Sequence, residues 1–259
     1  MRRGLGPAGI PAVFAVTYTA LAGSLYFALG VVAKHAMGLT PVVFLVAGLF
    51  FGLAALTYME GVARHSARGG STVFARYGFN ELISFIAGWA VLLDYTLLIA
   101  VTALSATNYL RVFWAPLGGG TIGILATIVV IGYVAVRNIR GFGEGRGRWM
   151  RLIVVADVLL LVVLVFAGLA TFWNIDLLTA GIKLGSAPTW SGLVFAFGVA
   201  TIVLTGLESA TSLAGEAVTG THALRRLVRS VTAVVLTVYV GTALVAVTAM
   251  PFISGRSDL

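Results

Sequence analysis

Seven long apolar blocks constrain the fold of this chain more than any other feature. A helix needs roughly 20 predominantly apolar residues to cross the hydrocarbon core of a bilayer. We place the predicted spans near residues 11–33, 41–59, 82–110, 121–136, 152–173, 190–214 and 230–250. With 59% hydrophobic and 10% charged residues, the chain could not cover itself with a polar surface. The sequence therefore predicts an all-α, polytopic membrane protein of about seven transmembrane helices, with the lipid bilayer as its solvent.

The basic residues lie mainly on alternate loops. Cytoplasmic loops are enriched in Lys and Arg, which predicts a multi-pass protein of the cell (plasma) membrane with its N-terminus in the cytoplasm. The scatter of basic residues between apolar blocks argues against a nucleic-acid partner, despite a net charge of +8. Of the 17 Lys and Arg residues, 13 lie on the predicted cytoplasmic side: Arg2, Arg3, Arg64, Arg68, Arg76, Arg137, Arg140, Arg146, Arg148, Arg151, Arg225, Arg226 and Arg229. The other four are Lys34, Arg111, Lys183 and Arg256.

The sequence carries no sign of enzyme chemistry. It has no cysteine, which excludes disulfides and thiolate–metal sites. The patterns HExxH and GxSxG, which mark zinc peptidases and serine hydrolases, are absent from the sequence. We therefore expect a protein that is not an enzyme and that needs no cofactor or metal.

Three acids fall inside the predicted spans: Asp94, Asp157 and Glu208. A charge at the centre of a bilayer costs at least about 2.5–3.5 kcal/mol, so such residues usually face a bundle interior or a wet cavity. Each acid has two interpretations. It is either a functional group of a pathway, or a structural acid that is paired or protonated and does nothing else.

Two spans combine a glycine with small polar neighbours near a possible break. Gly23 and Ser24 stand near the middle of the first span, and Thr205 and Gly206 stand two-thirds of the way along the sixth. Glycine weakens a helix interior by about 1 kcal/mol relative to alanine. We expect the first helix to be broken near 22–25 and the sixth near 205–209.

These two spans hold corresponding positions in two oppositely oriented five-helix repeats. We assign residues 1–173 to the first repeat and residues 174–259 to the start of an incomplete second one. Interrupted helices at matching places of inverted repeats are the best sequence pointer to a transporter binding site.

Four stretches resemble the amino acid–polyamine–organocation (APC) superfamily of permeases. The first and third are weak on their own, whereas the second and fourth are fairly specific. They are GSLYFALG (23–30), LTYMEGVARHSARGGSTVFARYGFNELISFIAGW (56–89), NIRG (138–141) and TGLESATSLAGEA (205–217).

The resemblance implies a LeuT-like fold of 5+5 inverted repeats, here truncated after helix 7, and a secondary transporter for an amino acid or related amine. It implies a coupling ion, H⁺, Na⁺ or K⁺, and places Glu208 and Asp157 at the proton- or cation-coupling site. It also implies that a substrate carboxylate is held by the backbone amides near Gly23. The substrate-binding residues that it implies are Gly23, Ser24, Tyr26, Asp94, Tyr95, Thr205 and Gly206.

Departures from the family pattern leave two alternatives open. Leu25 stands where the family often has a second glycine, and Asp157 stands near the place where some members carry a lysine. The segment LLDYTLLIAVTALSA (92–106) resembles helix three of potassium importers in the same superfamily, so a potassium importer is one alternative. Because the chain stops before three core helices of the fold, we expect an N-terminal fragment or a truncated gene product. The second alternative is a non-transporting or split membrane subunit, or a self-contained seven-helix permease completed by a second chain.

Overall fold

Each predicted span contains a helix within the residues that the structure describes. The computed structural model describes residues 9–65, 69–140, 144–174, 178, 182, 184–204 and 221–250. Within these residues the chain is all-helical, which confirms the predicted polytopic α class. The helices are α1 Gly9–Ala36, α2 Thr40–Arg64, α3 Ser71–Gly78, α4 Glu81–Leu110, α5 Gly120–Ile139, α6 Glu144–Phe172, α7 Trp190–Val203 and α8 Thr221–Ala249. Short 3₁₀ helices lie at Met37–Leu39 and Ala115–Gly118.

Five segments of the described chain are long and apolar enough to cross a membrane. The first contains both α1 and α2, whereas α7 is apolar but shorter than a full span. Both α6 and α8 begin about two turns before the predicted spans, because backbone hydrogen bonding continues through the Arg-containing segments that precede the apolar runs. The spanning segments are Thr17–Arg64, Glu81–Leu110, Gly120–Ile139, Arg151–Phe172 and Arg229–Ala249.

Two compact units make up the chain. The first comprises Met1–Gly70 and Arg151–Leu259, and the second comprises Ser71–Met150. The predicted repeats, 1–173 and 174–259, were defined by inverted symmetry, whereas these two units are defined by contacts between residues. The assignment of the repeats therefore stays a prediction.

In the first unit, α1 packs against α7 and α8, and α2 packs against α8 and α7. One side of α1 is buried through Leu21, Leu25, Ala28 and Val32. These positions recur at intervals of three and four residues, the spacing that places side chains on one helical face. Between helices in a membrane such contacts stabilise the fold through close van der Waals packing rather than removal from water, and they extend along most of α1.

Helix α1 is continuous through the place where we expected a break. Its α-helical segment runs from Gly9 to Ala36 and includes residues 22–25, so the expectation of an interruption near Gly23 is wrong for this structure. The Ser24 hydroxyl donates a hydrogen bond to the carbonyl oxygen of Ala20 at 3.1 Å, within the helix. The buried neighbours Leu21 and Leu25 supply packing energy that exceeds the helix penalty of one glycine.

A tight turn joins α1 to α2. Met37 has φ 50°, in the left-handed region. At the next residue a Cβ on Gly38 would lie 2.3 Å from the carbonyl oxygen of Leu178, a distance that no side chain tolerates. The hydroxyl of Thr40 donates to the Met37 carbonyl at 2.6 Å and fixes the start of α2.

Glycines and valines of α6 and α8 meet in a reciprocal pattern. A Cβ on Gly168 would lie 2.4 Å from Val245, and a Cβ on Gly241 would lie 2.6 Å from Val165. Each glycine therefore accommodates a valine of the other helix, the close approach that small residues permit in membranes. Because both residue numbers rise together from one contact to the next, α6 and α8 run parallel at this interface.

The second unit contains α3, α4 and α5. Helix α3 is a short amphipathic helix that the sequence analysis missed, and its Thr72 carbonyl accepts a hydrogen bond from the Ser84 hydroxyl of α4 at 2.8 Å. Further along α4, the hydroxyls of Thr107 and Thr127 lie 2.9 Å apart and join α4 to α5. Most other side chains of α4 and α5 are exposed and apolar, as expected of helices that face lipid.

Candidate functional site

Asp157 of α6 accepts hydrogen bonds from two tyrosines of α1. The Tyr18 hydroxyl donates to Oδ2 at 2.9 Å, and the Tyr26 hydroxyl donates to Oδ1 at 3.1 Å. Both oxygens of the carboxyl group thus have a partner on the neighbouring helix. The sequence predicted Asp157 and Tyr26 as site residues, and the structure brings these two together.

Helical geometry explains how one acid reaches two tyrosines. Tyr18 and Tyr26 are eight residues apart, which is about 12 Å along the axis and roughly 80° around it. Each long phenol ring spans part of that separation, so the two hydroxyls converge on a group that lies between them. Tyr18 is further held by Phe14, whose ring stacks on its own with centroids 6.1 Å apart.

The cluster lies within the predicted membrane. Asp157 stands six residues, or about 9 Å, beyond Arg151 at the start of the apolar part of α6. An ionised carboxyl group there needs donors that replace water. Among the ion pairs formed by described residues, none includes Asp157, and the two phenols are hydrogen-bond donors of this kind. A hydrogen bond to a charged group is worth about 1.5–3 kcal/mol.

Such a carboxyl group can exchange a proton, or it can attract a cation or an ammonium group. Tyr18 is 1% exposed, whereas Tyr26 is 41% exposed. The cluster therefore has a sealed side and an accessible side.

A third tyrosine bonds the main chain of α1. The Tyr239 hydroxyl of α8 donates to the carbonyl oxygen of Leu21 at 2.6 Å, and the group is buried. The ring of Phe44 on α2 meets the Tyr239 ring edge-on, with centroids 5.3 Å apart. Tyr239 thus ties α8 to α1 two residues before Gly23.

Gly23 and Ser24 lie between the two tyrosines along α1. Ser24 is buried, and its hydroxyl is bonded within the helix. In a continuous helix the backbone amides point to carbonyls one turn earlier. Their predicted use as donors to a substrate carboxylate is not tested by any contact here and stays a prediction.

Asp94 and Tyr95 lie in the middle of α4, in the second unit. Both side chains are half-buried, which fits residues that are not simply exposed to lipid. They are neighbours in sequence and therefore point about 100° apart around the helix. Their role as substrate-binding residues stays a prediction.

Thr205, Gly206 and Glu208 lie outside the described residues, as does the predicted break near 205–209. The described part of the sixth span is α7, whose N-cap is Thr189, with its hydroxyl oxygen accepting from the Gly192 amide at 3.1 Å. The helix ends at Val203, and Leu204 has φ −85° and ψ 16°.

Sequence analysis missed Tyr18 and Tyr239. Both are less than 2% exposed, and both hydroxyls are hydrogen-bonded across helices. A signal was present, because a phenol in the middle of an apolar span needs a partner for its hydroxyl. The partner could not be predicted, because it depends on which helices pack together.

The described residues thus define a polytopic helical membrane protein with an acid held inside its spans by hydroxyl groups of a second helix. Residues 9–254 match the family described as "Amino acid permease". The chain belongs to this family, which consists of permeases rather than enzymes. The match confirms the resemblance drawn from the sequence.

Several relatives are similar to this chain. "L-asparagine permease 2" of Mycobacterium bovis is 26% identical over 222 residues, which cover 80% of this chain and 44% of that protein. "Low-affinity putrescine importer PlaP" of Escherichia coli is 22% identical over 65% of this chain and 36% of that protein. "Cationic amino acid transporter 4" of Mus musculus is 38% identical over 33% of this chain and 14% of that protein. The chain matches less than half the length of each of these relatives.

Proposed function

We propose that this protein acts in secondary transport of an amino acid or related amine across the cell membrane, coupled to a proton or cation gradient. The observation that carries the proposal is the Asp157 carboxyl group, placed within a span and bonded to Tyr18 and Tyr26 of another helix. Intramembrane acids of this kind mark proton relays and ion pathways. Membership of the amino acid permease family supports the class of substrate.

Asp157 is the coupling group in this proposal, together with Glu208. Tyr26, which is partly exposed, is assigned to the substrate together with Gly23 and Ser24 of the same helix. Asp94 and Tyr95 of α4 are the other residues that we assign to the substrate. Transport then follows from rocking of one group of helices against another around the site.

The length of α7 supports a site near the middle of the sixth span. Its 14 residues extend about 21 Å, less than the roughly 30 Å of the hydrocarbon core. The helix ends just before Thr205 and Gly206, the residues that we assign to the substrate. The negative end of a helix dipole at that depth favours a cation or an ammonium group.

Uptake by proteoliposomes tests the proposal. The purified chain is reconstituted and supplied with radiolabelled asparagine, putrescine or cationic amino acids, which represent the substrates named for the relatives. We expect uptake of at least one of these above that of empty liposomes, and faster uptake under an inward proton or sodium gradient. Uptake equal to that of empty liposomes for a broad amino acid and amine panel would contradict it.

A potassium importer is the second candidate. The half-buried side chains of Asp94 and Tyr95 in the middle of α4 favour it, because carboxylate and hydroxyl oxygens suit a hard cation. Growth of an importer-deficient strain at low potassium tests this candidate. Rescue that survives Asp94→Asn unchanged would rule out a cation site built on that carboxylate.

A second chain is a proposed partner. The chain matches 44% of the asparagine permease, so helices from another polypeptide could complete the site. Crosslinking in membranes that recovers a partner with three or more spans would support a split transporter. Recovery of the chain alone would favour a self-contained form.

A further inference from the structure

Asp157 joins α1 to α6 through both of its oxygens, and its two partners differ in exposure. We propose that Asp157, Tyr18 and Tyr26 form a charge-gated tether between α1 and α6. The ionised carboxylate holds both hydroxyls, and uptake of a proton by Asp157 releases Tyr26 while Tyr18 stays bonded. The tether rests on the coupling role proposed above for Asp157 and adds the structural change that the proton controls.

The chemistry of the carboxyl group makes the tether sensitive to charge. An ionised carboxylate only accepts hydrogen bonds, so both phenols donate to it. A proton from water that binds one oxygen turns that oxygen into a donor, and the hydroxyl facing it must rotate to accept. The bonds also lose their charge assistance, which roughly halves their strength.

The burial of the two phenols determines which of them loses its hydrogen bond when Asp157 is protonated. Tyr18 is 1% exposed and is stacked on Phe14, so breaking its bond would strand a hydroxyl in an apolar surrounding, at about 1–3 kcal/mol. Tyr26 is 41% exposed, and its hydroxyl can turn outward. Protonation therefore breaks the hydrogen bond between Tyr26 and Asp157 before the one between Tyr18 and Asp157.

Among the residues that the structure describes, few other titratable groups lie near the tether. On α1 the groups that face Asp157 are Tyr18 and Tyr26, and on α6 the preceding charge is Arg151. The α6–α8 contacts set Val165 level with Gly241, so on α8 the level of Asp157 falls about one turn above Arg229, with Tyr239 higher and bonded to Leu21. No ion pair among described residues includes Asp157, so protonation removes the charge that the hydroxyls hold.

A metal ion fits the cluster less well than a proton. The described residues contain no group of three or more His, Asp or Glu side chains that could hold a metal. The two phenols already donate to the only carboxylate of the cluster. A hard cation would need several oxygen acceptors in their place.

A spin label tests the tether directly, because the chain has no cysteine of its own. Gly30 lies one turn beyond Tyr26 on α1, and a Cβ there meets nothing within 4 Å. A nitroxide is attached to Gly30→Cys, and its mobility is followed by EPR as the pH is lowered. Gly52→Cys on α2 is the matched control, since its Cβ also meets nothing within 4 Å.

We expect the ratio of mobile to immobile signal at position 30 to rise about tenfold on acidification, the effect of losing one charge-assisted hydrogen bond. The signal at position 52 stays constant. Asp157→Asn and Tyr26→Phe each give the mobile signal at every pH, whereas Tyr239→Phe, which leaves the tether intact, keeps the pH response. If Asp157→Asn does not fold, the pH response of the spin label in Tyr26→Phe is sufficient to test the tether.

A signal at position 30 that does not respond to pH overturns the tether, as does a response that persists unchanged in Tyr26→Phe. The measurement does not depend on transport. Uptake without the EPR response would refute the tether alone, and the EPR response without uptake would refute the transport proposal.

Discussion

Tyrosine hydroxyl groups link side chains of different helices within the predicted spans: Tyr18 and Tyr26 bond Asp157, and Tyr239 bonds the Leu21 carbonyl. Asp157 could be singled out from the sequence, because an acid in an apolar span needs a partner, and Tyr26 was named by the resemblance to the permease superfamily. Tyr18 and Tyr239 could not be assigned, because their partners, Asp157 and the Leu21 carbonyl, lie 139 and 218 residues away along the chain. The residue type thus indicates that a side chain needs a hydrogen-bond partner, whereas the packing of the helices determines which group that partner is.

The Tyr239→Phe change isolates one of these bonds. It removes the hydroxyl that donates to Leu21 and keeps the ring that packs on Phe44. We expect the free energy of unfolding to fall by about 0.5–1.5 kcal/mol, measured by thermal or denaturant unfolding in detergent. Tyr133→Phe on α5 is the control: Tyr133 is exposed, and its ring contact with Arg137 is retained. Equal effects of the two changes would mean that the buried bond contributes nothing.

At the scale of elements, hydropathy predicted the helices well and their ends less well. An apolar run of sequence indicates a segment that contacts lipid or the protein core. Helices α4 and α5 match their predicted spans within about two or three residues. Helices α6 and α8 extend into polar segments, because a helix ends where its backbone bonding ends and not where its apolar residues do. The glycine in α1 predicted a break that the packing of Leu21 and Leu25 overrides.

The reciprocal contacts of α6 and α8 give a second test. Gly168→Ala and Gly241→Ala each push a methyl group into a valine of the other helix. Valine is stiff at χ1 and cannot swing aside, so we expect each change to cost about 1–3 kcal/mol of unfolding free energy. Chemical denaturation of the reconstituted or detergent-solubilised protein measures the cost.

Two further variants make that test specific. Gly198→Ala on α7 has open space around its Cβ and should be neutral or stabilising by up to about 1 kcal/mol. Val245→Ala should reduce the cost of Gly168→Ala, because it makes room at the same contact. Additive effects of the two changes would show that the close approach is not what constrains Gly168.

For the whole molecule, the distribution of basic residues predicts the orientation of the helices in the membrane. Phe113, between α4 and α5, and Ile139, at the end of α5, are both strongly exposed and lie about 30 Å apart along α5. With the N-terminus in the cytoplasm, the thiol of Phe113→Cys should react with an impermeant maleimide on intact cells. Ile139→Cys should react only after permeabilisation, and the reverse pattern would invert the proposed orientation.

Glu208 provides a functional test at the same scale. In the proposed mechanism its carboxyl group is protonated for part of the cycle, so Glu208→Gln should preserve folding and flatten the dependence of uptake on pH. Glu60→Gln is the matched control, since Glu60 is exposed at the end of α2 and pairs with Arg64. An unchanged pH profile in Glu208→Gln would leave Glu208 a structural acid.

On α6 and α8, each of the glycines Gly168 and Gly241 accommodates a valine side chain of the other helix. Sliding one helix past the other by a single residue, about 1.5 Å, would drive the methyl groups of Val165 and Val245 into opposing backbone. Close-packed contacts of this kind resist continuous deformation, so the two helices must travel as one piece. Any movement that separates Tyr26 from Asp157 should therefore carry α6 and α8 together and leave their valine–glycine contacts intact.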